Sequence, residues 1–99
     1  MALSSSELIP EDTLEKMVMI FKAVALPDCL QIVNVLLRNE CRVGELVKAL
    51  GAKQSLTSQR LSDLKLCGIL KSRSNGNKVY YSLANNSIRK IIATIIDEL

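Results

Sequence analysis

Histidine and tryptophan are absent from this 99-residue chain, and the aromatic residues number only two tyrosines and one phenylalanine. Without histidine, acid–base chemistry near neutral pH would fall to Cys, Asp/Glu, Lys or Tyr. The adjacent acidic pairs, Glu11-Asp12 and Asp97-Glu98, lie where helices are expected to end. No glycine-rich phosphate loop, nucleophile elbow or paired-carboxylate motif is present, so the chain reads as a non-enzyme that needs no cofactor. The missing histidine also removes the commonest transition-metal ligand. Three cysteines without a short paired spacing do not make a disulfide framework. No apolar run approaches the roughly 18 residues of a membrane span. Met1-Ala2-Leu3-Ser4-Ser5-Ser6-Glu7 has neither the basic nor the apolar region of a signal peptide. A cytoplasmic protein with no membrane partner is the expectation.

What is present is aliphatic. Hydrophobic residues make up 48% of the chain, enough for the core of one domain. A domain this small gains from further burial by dimerisation. Residues 1–9 read as a flexible, Ser-rich lead, and residues 10–99 as one domain. Asp12 and Glu15 have capping-box spacing, and Leu14, Met17, Val18, Phe21 and Ala25 then form an apolar stripe of helical period. Pro27 ends that helix and opens a second, with Asp28 in its first turn and Leu30, Val33, Leu36 and Leu37 expected inside. A third helix over 43–50, with Val43, Leu46, Val47 and Leu50 inward, is closed by Gly51. A fourth spans 54–67, with Thr57, Leu61 and Leu64 inward, and Gly68 stops it. Two strands follow, 69–73 and 78–83, with Asn75-Gly76 expected to supply a positive-φ turn. Asn85 or Asn86 caps a last helix whose Ile88, Ile91, Ile92, Ile95, Ile96 and Leu99 share one stripe. The fold class is mainly α with a small β-hairpin, in the order α-α-α-α-β-β-α.

The charge is concentrated. Residues 53–78 carry six bases against one acid, a net of +5, whereas residues 1–52 carry five bases against seven acids, a net of −2. A positive excess on a helix followed by a hairpin is the electrostatic footprint of a nucleic-acid reader. Gly51-Ala52-Lys53 is a three-residue turn with a glycine, the spacing of a helix-turn-helix, whose second helix enters the major groove. Its outward Gln54, Ser55, Ser58 and Gln59 are the candidate base readers, since amides and hydroxyls suit base edges. Lys53 and Arg60 flank them, and Lys71, Arg73, Asn75 and Lys78 lie on the hairpin, a wing for backbone phosphates. The partner expected is a double-stranded DNA operator, an inverted repeat read by a homodimer. Leu14, Met17, Phe21, Ile88, Ile92, Ile95, Ile96 and Leu99 are the candidate dimer interface. An interaction module of another class, a winged helix that docks proteins without operator specificity, is the competing reading.

The residues Phe21-Lys22-Ala23-Val24-Ala25-Leu26-Pro27, Leu30-Gln31-Ile32-Val33, Val43-Gly44-Glu45-Leu46, Gln54 to Leu61, Gly68-Ile69-Leu70 and Gly76 to Leu83 resemble the ArsR family of winged helix-turn-helix repressors. The resemblance runs from about residue 14 to about residue 96. It implies a homodimer that represses transcription and releases its operator on meeting a metal, metalloid or thiol-reactive signal. Several departures stand out. The metal-sensing Cys-x-Cys is replaced by Arg42-Val43-Gly44, and the last helix offers only the adjacent Asp97 and Glu98. A metal site is therefore not expected, save by convergence of Cys29, Cys41 and Cys67. Cys29 stands at a helix start where the family usually has arginine, and Cys41 beside Arg42. Both settings favour a thiolate, although Asp28 opposes it at Cys29. A thiol-based redox, persulfide or metalloid-responsive repressor acting through Cys29 or Cys41 is the alternative they raise, against plain structural cysteines. Arg42 and Lys53 also stand where the family often has a capping Ser or Thr, and Leu26 where it has Asp. No inducer is identified by these residues.

Overall fold

The computed structural model describes residues 4–99. A single 3-10 turn at Ser5–Glu7 precedes α1 (Glu11–Val24), α2 (Pro27–Leu36), α3 (Val43–Leu50), α4 (Gln54–Leu66), β1 (Leu70–Asn75), β2 (Lys78–Leu83) and α5 (Asn86–Glu98). The order of elements is the one expected. Of the 1–9 lead, residues 1–3 lie outside the described residues, and Leu8 and Ile9 are exposed.

The anticipated capping box of α1 does not form. The helix starts at Glu11, which places Asp12 inside its first turn, and Asp12 Oδ1 accepts only the neighbouring Thr13 N–H at 2.9 Å. None of the residues of α1 is buried. In α2 the inward face is turned from the expected one. Cys29, Ile32, Val33 and Leu36 are buried, while Leu30 is 41% exposed and Leu37 only partly covered. Two apolar stripes overlap in this helix, and the core takes the one at i, i+3, i+4 and i+7.

The α3–α4 turn follows from Gly51. Its φ of +64° is left-handed, and its N–H reaches the Val47 carbonyl at 2.9 Å. At the start of α3, Glu45 Oε1 accepts the Arg42 backbone N–H at 3.0 Å, which offsets the absence of a capping hydroxyl. In α4, Thr57, Leu61 and Leu64 are buried as expected. The Thr57 hydroxyl donates to the Lys53 carbonyl at 3.1 Å.

The two strands pair antiparallel from Leu70 with Leu83 to Asn75 with Lys78. Asn75 is thus the last residue of β1, and the loop is Gly76-Asn77, one residue later than expected. Gly76 has φ +67°, and no non-glycine described residue has positive φ. A glycine at the first loop position followed by an ordinary residue is the II′ pattern, not the Asn-Gly I′ pattern. A further bridge ties the wing to the helix-turn-helix: Cys41 N–H donates to Tyr81 O at 3.0 Å, and Tyr81 N–H to Cys41 O at 2.7 Å.

Asn85 caps α5, its Oδ1 accepting the Ile88 N–H at 3.0 Å. The isoleucine stripe divides along its length. Ile88 and Ile92 are each 9% exposed and join the core, whereas Ile95 and Ile96 are 50% and 48% exposed. The first half of the stripe meets α2 and β2, and beyond Ile92 the chain offers nothing to cover it. The core is therefore α2, α3, α4, the inner ends of the hairpin and the first half of α5. No single described helix is long and apolar enough to cross a membrane.

Candidate nucleic-acid interface

The surface of α4 opposite Thr57, Leu61 and Leu64 is where the candidate readers lie. Gln54, Ser55 and Gln59 are exposed and Ser58 half-buried. Gln59 is not free: its Nε2 donates to Asp63 Oδ1 at 3.0 Å, one turn along the helix. Its carbonyl oxygen remains available to accept. Leu56 stands 42% exposed among these polar groups. It was passed over because an apolar residue in an amphipathic helix is expected inside, and its flanking polar neighbours are the only signal against that. Lys53 holds the cap position without a side-chain cap bond, and no acid occupies the first turn. The first N–H groups of α4 therefore keep the unpaired, positive end of the helix dipole.

Two of the expected phosphate ligands are engaged elsewhere. Arg60 Nε donates to Asp28 Oδ2 of α2 at 2.7 Å, with both side chains about one quarter exposed. This bond holds the Asp28 carboxyl below its usual range and raises the guanidinium. Arg73 Nε donates to Glu40 Oε2 at 3.0 Å, its Nη2 donates to the other carboxylate oxygen, and its guanidinium lies 4.6 Å from the Tyr80 ring centre. The same contact lowers the Glu40 carboxyl and raises Arg73. Lys65 Nζ donates to Ser72 Oγ at 2.7 Å, which ties the end of α4 to β1. Lys53, Lys71, Asn75 and Lys78 are exposed. Among the described residues these three lysines have no ion pair.

The thiols do not match a reactive pair. Cys29 is 1% exposed, and burial and then Asp28 push its thiol up. Cys41 is 7% exposed and raised by burial and then by Glu45 and Glu40, while its Sγ donates to the Asn39 carbonyl at 3.6 Å. At both positions desolvation outweighs the helix terminus or the neighbouring arginine. Among the described residues no three His, Cys, Asp or Glu side chains converge, so Cys29, Cys41 and Cys67 do not assemble a three-thiolate site.

On the side away from the wing, α1, α2 and α5 frame an open apolar groove of about 610 Å³, lined among others by Phe21, Leu30, Ile91, Ile95, Ile96 and Leu99. Of the eight proposed interface residues, Leu14, Phe21, Ile95, Ile96 and Leu99 are exposed and Met17 half-buried. Ile88 and Ile92 are the two misassigned, since both are needed inside the protomer, although Ile92 also reaches the groove floor.

Comparison with known proteins agrees with this architecture. The model described as "Bacterial regulatory protein, arsR family" matches residues 27–72, from the start of α2 into β1. A transcriptional repressor SmtB homolog of Synechocystis is 32% identical over 93 residues, 94% of this chain and 70% of that protein. The transcriptional activator HlyU of Vibrio cholerae is 38% identical over 77 residues, 78% of this chain and 71% of its own length. The HlyU structure superposes with a TM-score of 0.81 over 87% of this chain and 94% of that one, at 35% identity. A homodimeric winged helix-turn-helix DNA-binding domain from Mycobacterium bovis, described as a possible ArsR-family regulator, gives 0.82 over 95% of this chain and 84% of that one, at 26% identity.

Proposed function

We propose, for a chain that belongs to the ArsR family of bacterial regulatory proteins, a specific way of gripping its DNA. The chain is a winged helix-turn-helix transcriptional regulator and not an enzyme. It works as a homodimer in the cytoplasm and reads an inverted repeat with one α4 per half-site. The observation that carries this reading is the bare, uncapped start of α4, where Gln54, Ser55, Leu56 and Gln59 are exposed together on one helix whose other face is buried.

Gln54 pairs with a base edge through both amide atoms. Gln59, held by Asp63, uses its carbonyl oxygen alone and selects a base with an exocyclic amine in the major groove. Leu56 takes a thymine methyl. Lys53 and the free N–H groups of α4 hold one phosphate, and Lys71, Asn75 and Lys78 hold the neighbouring backbone. The apolar groove supports the dimer, because α1 buries no residue within one protomer and α5 is half bare. A two-fold pairing of these helices covers both and sets two α4 helices about one DNA turn apart, roughly 34–36 Å. Repression follows by occupancy, since a dimer lying across two grooves excludes other proteins from that face.

The test is binding to the DNA upstream of the protein's own coding sequence and to a scrambled duplex, at several salt concentrations. Specific affinity that falls steeply with salt is expected. Equal, salt-insensitive binding to both duplexes would favour the protein-docking reading instead.

A further inference from the structure

Asp28 and Arg60 are 32 positions apart and meet where α2 crosses α4. One carboxylate oxygen of Asp28 takes the Arg60 Nε at 2.7 Å, and the other takes the Cys29 backbone N–H at 2.9 Å. The carboxylate is thereby fastened to the first turn of α2 while it holds α4. The remaining contacts of α4 to α2 are apolar, through Leu61 and Leu64. Such contacts are non-directional. They fix how deeply a helix sits and leave its rotation about its own axis weakly specified. A charged hydrogen bond to a planar guanidinium is directional. Arg60 directly follows Gln59 and lies one turn beyond Leu56, so its azimuth sets theirs. The residues flanking Asp28, Pro27 and Leu30, line the groove assigned to the partner.

We propose that the Asp28–Arg60 pair is a positioning device that fixes the rotation of α4 relative to the partner-facing helix α2, so that Arg60 serves base reading without touching DNA. The inference rests on α4 being the reading helix. Its consequence is that sequence preference depends on a carboxylate that lies off the reading helix altogether.

The experiment uses the full chain, the tightest duplex that it selects from a randomised pool, and a random-sequence duplex of equal length. Asp28→Asn and Arg60→Gln should each lower the ratio of selected to random affinity about tenfold. The double variant should be no worse than the poorer single one. The salt slope of Arg60→Gln should stay at the wild-type value, because no phosphate contact is lost. Arg60→Lys, which keeps the charge and a donor, should recover most of the ratio. Circular-dichroism melts accompany each variant. If Asp28→Asn does not melt cooperatively, Asp28→Glu replaces it, with the same fall in ratio expected from a carboxylate displaced by one methylene. The inference is overturned if Asp28→Asn tightens binding to both duplexes while Arg60→Gln lowers the slope by about 0.9, the signature of one phosphate contact. That pair of results would make Arg60 a phosphate ligand that Asp28 withholds. A wild-type preference that survives Asp28→Asn and Asp28→Glu unchanged would sink this inference alone. A wild-type chain with no preference at all would sink the reading helix and this inference together.

Discussion

Replacing Ile95 by glutamate should split the dimer and leave the protomer folded. Ile95 is 50% exposed in the single chain, so pairing covers about half of its side chain. Full burial of such a side chain is worth about 1.5–3 kcal/mol, and the second half therefore about 1 kcal/mol. A carboxylate brought into an apolar groove without a partner adds a desolvation cost of at least about 1–3 kcal/mol. A two-fold interface contains each change twice. The total is at least about 4 kcal/mol, or roughly a thousandfold in dissociation constant. Ile92→Glu is the contrast. Ile92 is 9% exposed, so the same substitution there buries a charge inside the protomer and should unfold it. Sedimentation equilibrium across the micromolar range gives the association, and a thermal melt reports the fold. A wild-type chain that is folded and monomeric at micromolar concentration would refute the reasoning, as would an Ile95→Glu variant with unchanged dimer affinity.

Lys78→Ala and Lys71→Ala should each weaken selected and random duplexes alike and lower the salt slope by about one unit. Arg73→Ala, whose guanidinium is already held by Glu40, should leave that slope unchanged. Leu56→Ala should lose affinity several-fold on the selected duplex, and the loss should vanish when deoxyuridine replaces the contacted thymine, because only the methyl differs. The Asp28 carboxyl is held below its usual range in the folded state, so its stabilisation is present above the unfolded value near 3.9 and is lost as pH falls through the lower folded value. Melting temperatures of wild type and Asp28→Asn should converge below about pH 4. Cys29 and Cys41, buried and with raised thiols, should resist iodoacetamide at neutral pH, whereas the half-buried Cys67 should react first; mass spectrometry of the labelled chain decides the order.

The elements were legible where their causes are local. Pro27, Gly51 and Asn85 mark helix ends through their own backbone or side-chain chemistry, and α3, α4 and α5 fall within a residue or so of the expected spans. The misses are of two kinds. Where two local patterns compete, sequence gives no weight to either. Leu30 and Cys29 both belong to acceptable stripes of α2, and Gly76 can serve either position of a two-residue turn. Tertiary packing chose the Cys29 stripe and the later turn. The second kind depends on separation along the chain. Nothing near Arg60 or Arg73 points to Asp28 or Glu40, which lie 32 and 33 positions away. The isoleucine stripe of α5 was recognised as one face, but which half meets the protomer depends on where β2 and α2 end.

Those two distant acids change how the basic segment works. By count, residues 53–78 hold six bases and one acid. In the folded chain Asp28 and Glu40, both from the acidic first half, take Arg60 and Arg73. Lys65 keeps its charge but is held by Ser72 at the far end of α4. The arginines, with planar forks suited to a fixed partner, hold α4 to α2 and the wing to the α2–α3 loop. The lysines, compact charges on flexible stems, are left for phosphates whose positions vary with the DNA. Three such lysines per protomer, Lys53, Lys71 and Lys78, make six in a dimer. If each replaces one counterion, the salt slope is about −5. Were all six bases of the segment on phosphates, twelve per dimer would give about −11. A measured slope near the smaller figure means that the arginines are structural in the complex as well as in the free protein. A slope near the larger one means that binding breaks both ion pairs and turns Arg60 and Arg73 onto the DNA.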